Sequence, residues 1–204
     1  MNKRLITVIL VMMACFLLYS VSPVWAAETT ASPQDKIIAE CTAAIDANPN
    51  DYFSYLHRGQ AYRKKNLFDE ALADCNKAIE IKPDYAAAYF ERGWINQVRK
   101  NWDSAIDNYT QTMKFDSGYY WAYNNRAVCY NQKEQYDLAI SDAARAIELY
   151  PKRANSYFHL GYAYTQKHQY EDAISTYRGV IDNCSDSRDI EKAKDRIRAL
   201  GGSV

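Results

Sequence analysis

Three histidines, five cysteines and 25 carboxylate side chains are the groups in this chain that could do chemistry, and their spacing decides which. No His-x-x-x-His or Cys-x-x-Cys pair and no acidic calcium loop occurs around His57, His159 and His168, so no metal site is expected. There is no glycine-rich phosphate loop and no Gly-x-Ser-x-Gly nucleophile turn. The acidic residues fall at salt-bridge spacing on helix faces, as solvated surfaces do. No catalytic residue and no cofactor is therefore expected. A second group suits recognition rather than reaction: the rings of Phe53, Phe90, Trp94, Trp121, Phe158 and Tyr162, with the amides of Asn124, Asn131 and Asn155. Aromatic rings supply buried area, and amides can bond the backbone of an extended peptide.

Those side chains are carried by a repeat. Tyr52–Tyr85 is 34 residues long and recurs without a gap as Ala86–Tyr119, Tyr120–Arg153 and Ala154–Ser187. The fourth place is always Tyr (Tyr55, Tyr89, Tyr123, Tyr157), and the eighth is tiny (Gly59, Gly93, Ala127, Gly161). The seventeenth is aromatic (Phe68, Trp102, Tyr136, Tyr170), and the twentieth is Ala (Ala71, Ala105, Ala139, Ala173). A fixed period of this length marks a solenoid whose units bury their apolar faces only against neighbours. In the first unit Tyr55, Ala61 and Tyr62 share a helical stripe with Gly59. After an Asn66-Leu67 turn, Asp69 suits the start of a second helix carrying Ala71, Cys75, Ala78 and Ile79. Pro83 closes it.

This pattern resembles the tetratricopeptide repeat over Tyr52–Ser187. Local departures are Arg at the usual Leu place (Arg58, Arg92, Arg126), Asn96 for the inner Tyr, and Ser117 and Ser185 for the closing Pro. The resemblance implies an all-α, right-handed solenoid of antiparallel helix pairs, with the first helix of each pair lining a concave groove that binds a peptide or extended segment. Carried over place by place, the groove positions are Phe53, Leu56, Gln60 and Arg63; Ala87, Phe90, Trp94 and Gln97; Trp121, Asn124, Val128 and Asn131; Asn155, Phe158, Tyr162 and Thr165. The Lys/Asn/Arg carboxylate clamp of chaperone-binding members is absent, because the relevant places hold Leu56, Gln60, Glu91 and Trp121.

Two further expectations concern the joints. The seventh place reads Arg58, Arg92, Arg126, Leu160, and the twenty-third reads Asp74, Asn108, Asp142, Thr176. Where the Arg is lost, its carboxylate or amide is lost with it, so Arg58–Asp74 and Arg126–Asp142 are expected to pair within their units. Cys41 and Cys75 hold the same place in adjacent units, where packed helices stand roughly 10 Å apart, too far for a disulfide. Cys41, Cys75, Cys129 and Cys184 are expected as free thiols.

Residues 1–26 lie outside the repeat. Lys3 and Arg4, the apolar run Leu5–Tyr19, Pro23 and the small Val24 and Ala26, three before and one before the cut, have the layout of a secretory signal cleaved after Ala26. The chain is thus expected to be exported, periplasmic or extracellular. An uncleaved membrane anchor remains open, as does a weak lipoprotein box at Met12–Cys15. A linker follows over 27–33, then a half-repeat over 34–51 with a helix at Gln34–Ala47. A final helix, Arg188–Leu200, is expected to close the array within 188–204. It would be capped by Ser187 or Asp189, with an apolar seam of Ile190, Ala193, Ile197 and Leu200, a charged outer face of Glu191, Lys192, Lys194, Asp195, Arg196 and Arg198, and Gly201-Gly202 at its end.

The whole chain has 25 basic and 25 acidic side chains; without Lys3 and Arg4, 23 basic face 25 acidic. No basic excess offsets a phosphate backbone, so a nucleic-acid partner is not expected. The expected function is a non-enzymatic scaffold for a protein or peptide partner. The alternatives are a membrane-tethered assembly factor and a self-associating structural protein.

Overall fold

The computed structural model describes residues 31–203; the export segment expected over 1–26 and most of the linker lie outside them. The described residues form ten α-helices and no strand. A lone helix, α1 (Pro33–Ala47), is followed by four pairs: α2 (Tyr52–Lys64) with α3 (Phe68–Ile81), α4 (Ala86–Val98) with α5 (Trp102–Phe115), α6 (Tyr120–Gln132) with α7 (Tyr136–Leu149), and α8 (Ala154–Gln166) with α9 (Tyr170–Asn183). The last helix is α10 (Ser187–Ala199). The all-α solenoid of helix pairs expected from the repeat is what the chain forms.

Each pair turns over one left-handed residue: Asn66, Lys100, Glu134 and His168, with φ of 60°, 62°, 57° and 59°. The turn closes by two amides reaching back, as in Leu67 N to Tyr62 O at 2.9 Å and Asn66 N to Arg63 O at 2.9 Å. Asn tolerates this conformation, whereas Lys and Glu adopt it at a cost that closing the helix end offsets. The helix α10 ends the same way, with Gly201 at φ 79° and Gly202 N bonded to Ile197 O at 2.9 Å. In form it is the first helix of a fifth unit. It starts at Ser187 rather than Arg188, and its cap is Asp186, which accepts from Arg188 N, not Ser187 or Asp189. The fourth unit is therefore one residue shorter than the strict period.

Three interlocks hold the units in register. At the eighth place, size is complementary to the facing second helix: a methyl on Gly161 would stand 2.5 Å from the Tyr177 ring, and one on Gly93 would stand 2.9 Å from Tyr109. Ala127 is accommodated where the residue opposite is Ala143, and both are fully buried. The second interlock is the expected arginine pair, and it is larger than expected. Arg58 bonds both oxygens of Asp74 at 2.8 Å and Arg126 those of Asp142 at 2.7 and 2.8 Å, while Arg92 Nε donates to Asn108 Oδ1 at 2.6 Å. A further guanidinium nitrogen of each crosses to the preceding second helix: Arg58 to Thr42 at 3.1 Å, Arg92 to Asn76 at 2.7 Å, Arg126 to Thr110 at 2.8 Å. Each arginine thus ties three helices. Where Leu160 replaces it, the residue in the Thr42, Asn76 and Thr110 place is Ala144, and Leu160 packs instead with Ala127 and Ala143.

The third interlock is a ladder of ion pairs between successive units: Lys65 with Asp35, Arg99 with Asp69, Lys133 with Asp103, Lys167 with Asp137. Asp35 stands in register with Asp69, Asp103 and Asp137, which fixes α1 as a second helix. Bonds from Lys65 and Ser32 hold the Asp35 carboxyl down at about 2. The cysteines Cys41, Cys75, Cys129 and Cys184 are free, as expected. Burial raises the Cys75 thiol and pushes Cys129 up to about 12, so neither is a ready nucleophile.

Candidate functional site

The first helices α2, α4, α6 and α8 touch one another as well as their partners, whereas contact between successive second helices is at most marginal. The first helices therefore line the tighter, concave side. The helix α10 is set back from α8, without the close approach that joins α6 to α8. That gap is a cleft of about 530 Å³ between α6, α8 and α10, floored by Tyr177 of α9.

The groove candidates divide into three groups. Val128, Asn131, Phe158, Tyr162 and Thr165 line the cleft together. Phe90, Trp94 and Trp121 meet in a shallower recess of about 270 Å³ with Arg63, Glu91 and Asn125. The rest do not join either. Leu56 is buried in the core with Ala78 and Ala88, which corrects its assignment to the groove. Phe53 is exposed, its ring 4.1 Å from that of His57; Gln60 is half-buried and Asn155 exposed. The fifth place of the unit leans toward the neighbouring helices, so an aliphatic side chain there is drawn into the core.

Two asparagines expected to meet a ligand are spent between helices. Asn124 accepts from Ser156 Oγ at 2.9 Å and donates to Asn125 Oδ1 at 3.0 Å. Asn131 donates to the His159 carbonyl at 3.1 Å. Its Oδ1, however, is buried on the cleft lining with no partner. An unpaired buried acceptor is costly unless something comes to meet it.

The recess at the two indoles is already occupied by the chain's own charges. The Arg63 guanidinium lies 4.3 Å from the Trp94 ring centroid and also pairs with buried Glu91. Burial raises the Glu91 carboxyl above its ordinary range, and Arg63 works against that shift. Trp94 packs on the Ala71, Cys75 and Ile95 cluster, while Trp121 is 39% exposed beside Tyr120 and Arg153.

The cleft is different. Phe158 and Tyr162 supply its apolar wall, Lys192 Nζ sits 4.2 Å from the Phe158 centroid, and Arg196 stands beside it one turn along α10. Burial, helped by the Lys192 charge, lowers the His159 imidazole to about 4, so it is a neutral hydrogen-bonding group at pH 7. Lys192 and Arg196 were expected on an outward face; they line the cleft instead. An i, i+4 spacing next to the seam residues was the signal that could have placed them there. Among the described residues no group of His, Cys, Asp or Glu is arranged to hold a metal, and no helix is long and apolar enough to cross a membrane.

Tetratricopeptide repeat family models match residues 52–85 and 119–185, and no catalytic family is indicated. No curated protein sequence matches. Among solved structures, a crystal structure of MamA superposes with a TM-score of 0.69 at 22% identity, covering 81% of this chain and 99% of that one. MamA from Desulfovibrio magneticus RS-1 gives 0.68 at 17% identity, covering 79% and 88%. The anaphase-promoting complex structure Cut9–Hcn1 gives 0.66 at 16%, covering 82% of this chain and 34% of that one. Period, interlocks, helix order and family matches agree: this chain is a tetratricopeptide repeat protein.

Proposed function

We propose that the protein is an exported, non-enzymatic adaptor that holds an extended segment of a partner protein along its concave face, anchored in the cleft between α6, α8 and α10. The observation that carries this is the cleft itself, where the half-buried Phe158 and exposed Tyr162 rings, an unpartnered buried amide oxygen and unpaired cations meet on the side that tetratricopeptide arrays use for protein partners. Export is supported by Lys3-Arg4, the Leu5–Tyr19 run and the small residues before Ala27. Mass spectrometry of the mature protein should give an N-terminus at Ala27; a chain still starting at Met1 would replace export of a free adaptor by tethering.

Partner binding is tested by filling the cleft from an exposed position. Gln132 lines it without entering the core, so Gln132→Trp should abolish capture of a partner from the exported fraction at an unchanged melting temperature. Trp121→Ala should leave capture intact. The reverse pair of results would move the site to the indole recess.

A further inference from the structure

We propose that the cleft reads a carboxylate: the partner segment that docks there carries an acidic side chain next to an apolar one. This rests on the cleft being the binding site and specifies its ligand. The helix α10 carries three carboxylates: Glu191 is spent on Lys194 at 2.7 Å and Asp195 on Arg198 at 2.9 Å, while Asp189 in the first turn comes within ion-pair distance of no cation among the described residues. Lys192 and Arg196, four residues apart, face the cleft, and no carboxylate among the described residues comes within ion-pair distance of either. The cleft lining holds these two cations and no acidic residue at all. That imbalance is local, because elsewhere on the concave face Arg63 is neutralised by Glu91.

The polar groups deeper in the cleft sharpen the reading. Asn131 Oδ1 is an acceptor without a donor, suited to a backbone or amide N–H of an extended segment. Phe158 and Tyr162 offer the apolar wall against which a ring or branched side chain is buried. A segment with a carboxylate reaching Lys192 and Arg196, an N–H at Asn131 and an apolar residue on Phe158 satisfies all three at once. A carboxylate held by a guanidinium gives charge-assisted bonds with fixed geometry, so the site discriminates Glu and Asp from Gln and Asn.

The test is selection of random twelve-residue peptides displayed on phage against the full chain, followed by titration of the selected peptides. Peptides combining Asp or Glu with Phe, Tyr, Leu or Ile should be enriched. Their affinity should fall about tenfold or more in Lys192→Glu with Arg196→Glu, on the scale of lost charge-assisted hydrogen bonds, and should weaken as salt rises. Both positions are exposed, and an unchanged melting temperature verifies folding. Enrichment of neutral or basic peptides, or acidic peptides indifferent to the charge reversal, overturns carboxylate reading; if Gln132→Trp still blocks those peptides, the cleft stands as the binding site. No enrichment, or binding that ignores Gln132→Trp, overturns both.

Discussion

The first three units and the fourth unit with α10 are built from the same repeat yet dispose of their charges in opposite ways. In the first three, an arginine at the seventh place is enclosed by its own unit and the one before it, and Arg63 is absorbed by Glu91 and Trp94. In the fourth, the joint is apolar at Leu160, and Lys192 and Arg196 of α10 remain directed at a cleft. Groove register alone therefore does not make a residue available to a partner. Availability depends on whether a neighbouring place already carries the complementary group.

The largest effect should come from breaking an enclosed joint. Asp142→Leu strands Arg126, whose Asp142 partner is 6% exposed at its side chain, and should cost about 3–5 kcal/mol, as removal of one partner of a buried pair does. Adding Arg126→Leu and Thr110→Ala leaves no polar group stranded in this joint, with Leu and Ala standing as at Leu160 and Ala144, and should recover much of that loss. Urea denaturation of the single, double and triple variants measures it; strictly additive losses would mean that the three groups are not one unit.

Next is the indole that belongs to the fold. Trp94→Ala should cost about 2–3 kcal/mol, somewhat below a fully buried Trp, because Trp94 packs on Ala71, Cys75 and Ile95. Trp121→Ala, from an exposed ring, should cost under about 1 kcal/mol. Equal losses from thermal melts would erase the distinction drawn between the two.

The cleft should also register pH. The His159 pKa is lowered to about 4 in the folded chain against 6.5 ordinarily, so the unfolded chain binds more protons between those values. Stability from this group is full above pH 6.5 and falls as pH drops toward 4, by about 3 kcal/mol. His159→Gln should remove that component from the pH–stability curve, read as the difference from wild type; parallel curves would show that the imidazole titrates normally.

The smallest effect belongs to the surface ladder. Lys133→Met should cost less than about 1 kcal/mol, shrinking with salt, since its partner Asp103 is exposed.

Much of the fold was legible because a solenoid repeats its constraints. Four copies of Tyr, a tiny residue, an aromatic and Ala at fixed places reveal the helix pairs, and the Arg/Asp alternation revealed half of each joint. The other half, Thr42, Asn76 and Thr110, was equally periodic, as was the Asp35–Lys65 ladder, but acidic and hydroxyl residues on helices read as ordinary solvated surface until the helices are stacked. The cleft was less legible. Leu56 looked like a groove residue because register gives a face, not a depth; Asn124 and Asn131 have partners contributed by other helices. Lys192 and Arg196 lie beyond the last full unit, where the shortened connection shifts the register by one residue and the repeat no longer says which way a side chain points.

The C-terminal cleft, rather than the indole recess, is the proposed seat of the partner. Chemical-shift mapping of the 15N-labelled chain titrated with a selected peptide tests it most directly. The perturbed amides should cluster at Val128, Asn131, Phe158, Tyr162, Lys192 and Arg196; perturbations centred on Trp94 and Trp121, or on α3, α5 and α7, would place the partner elsewhere.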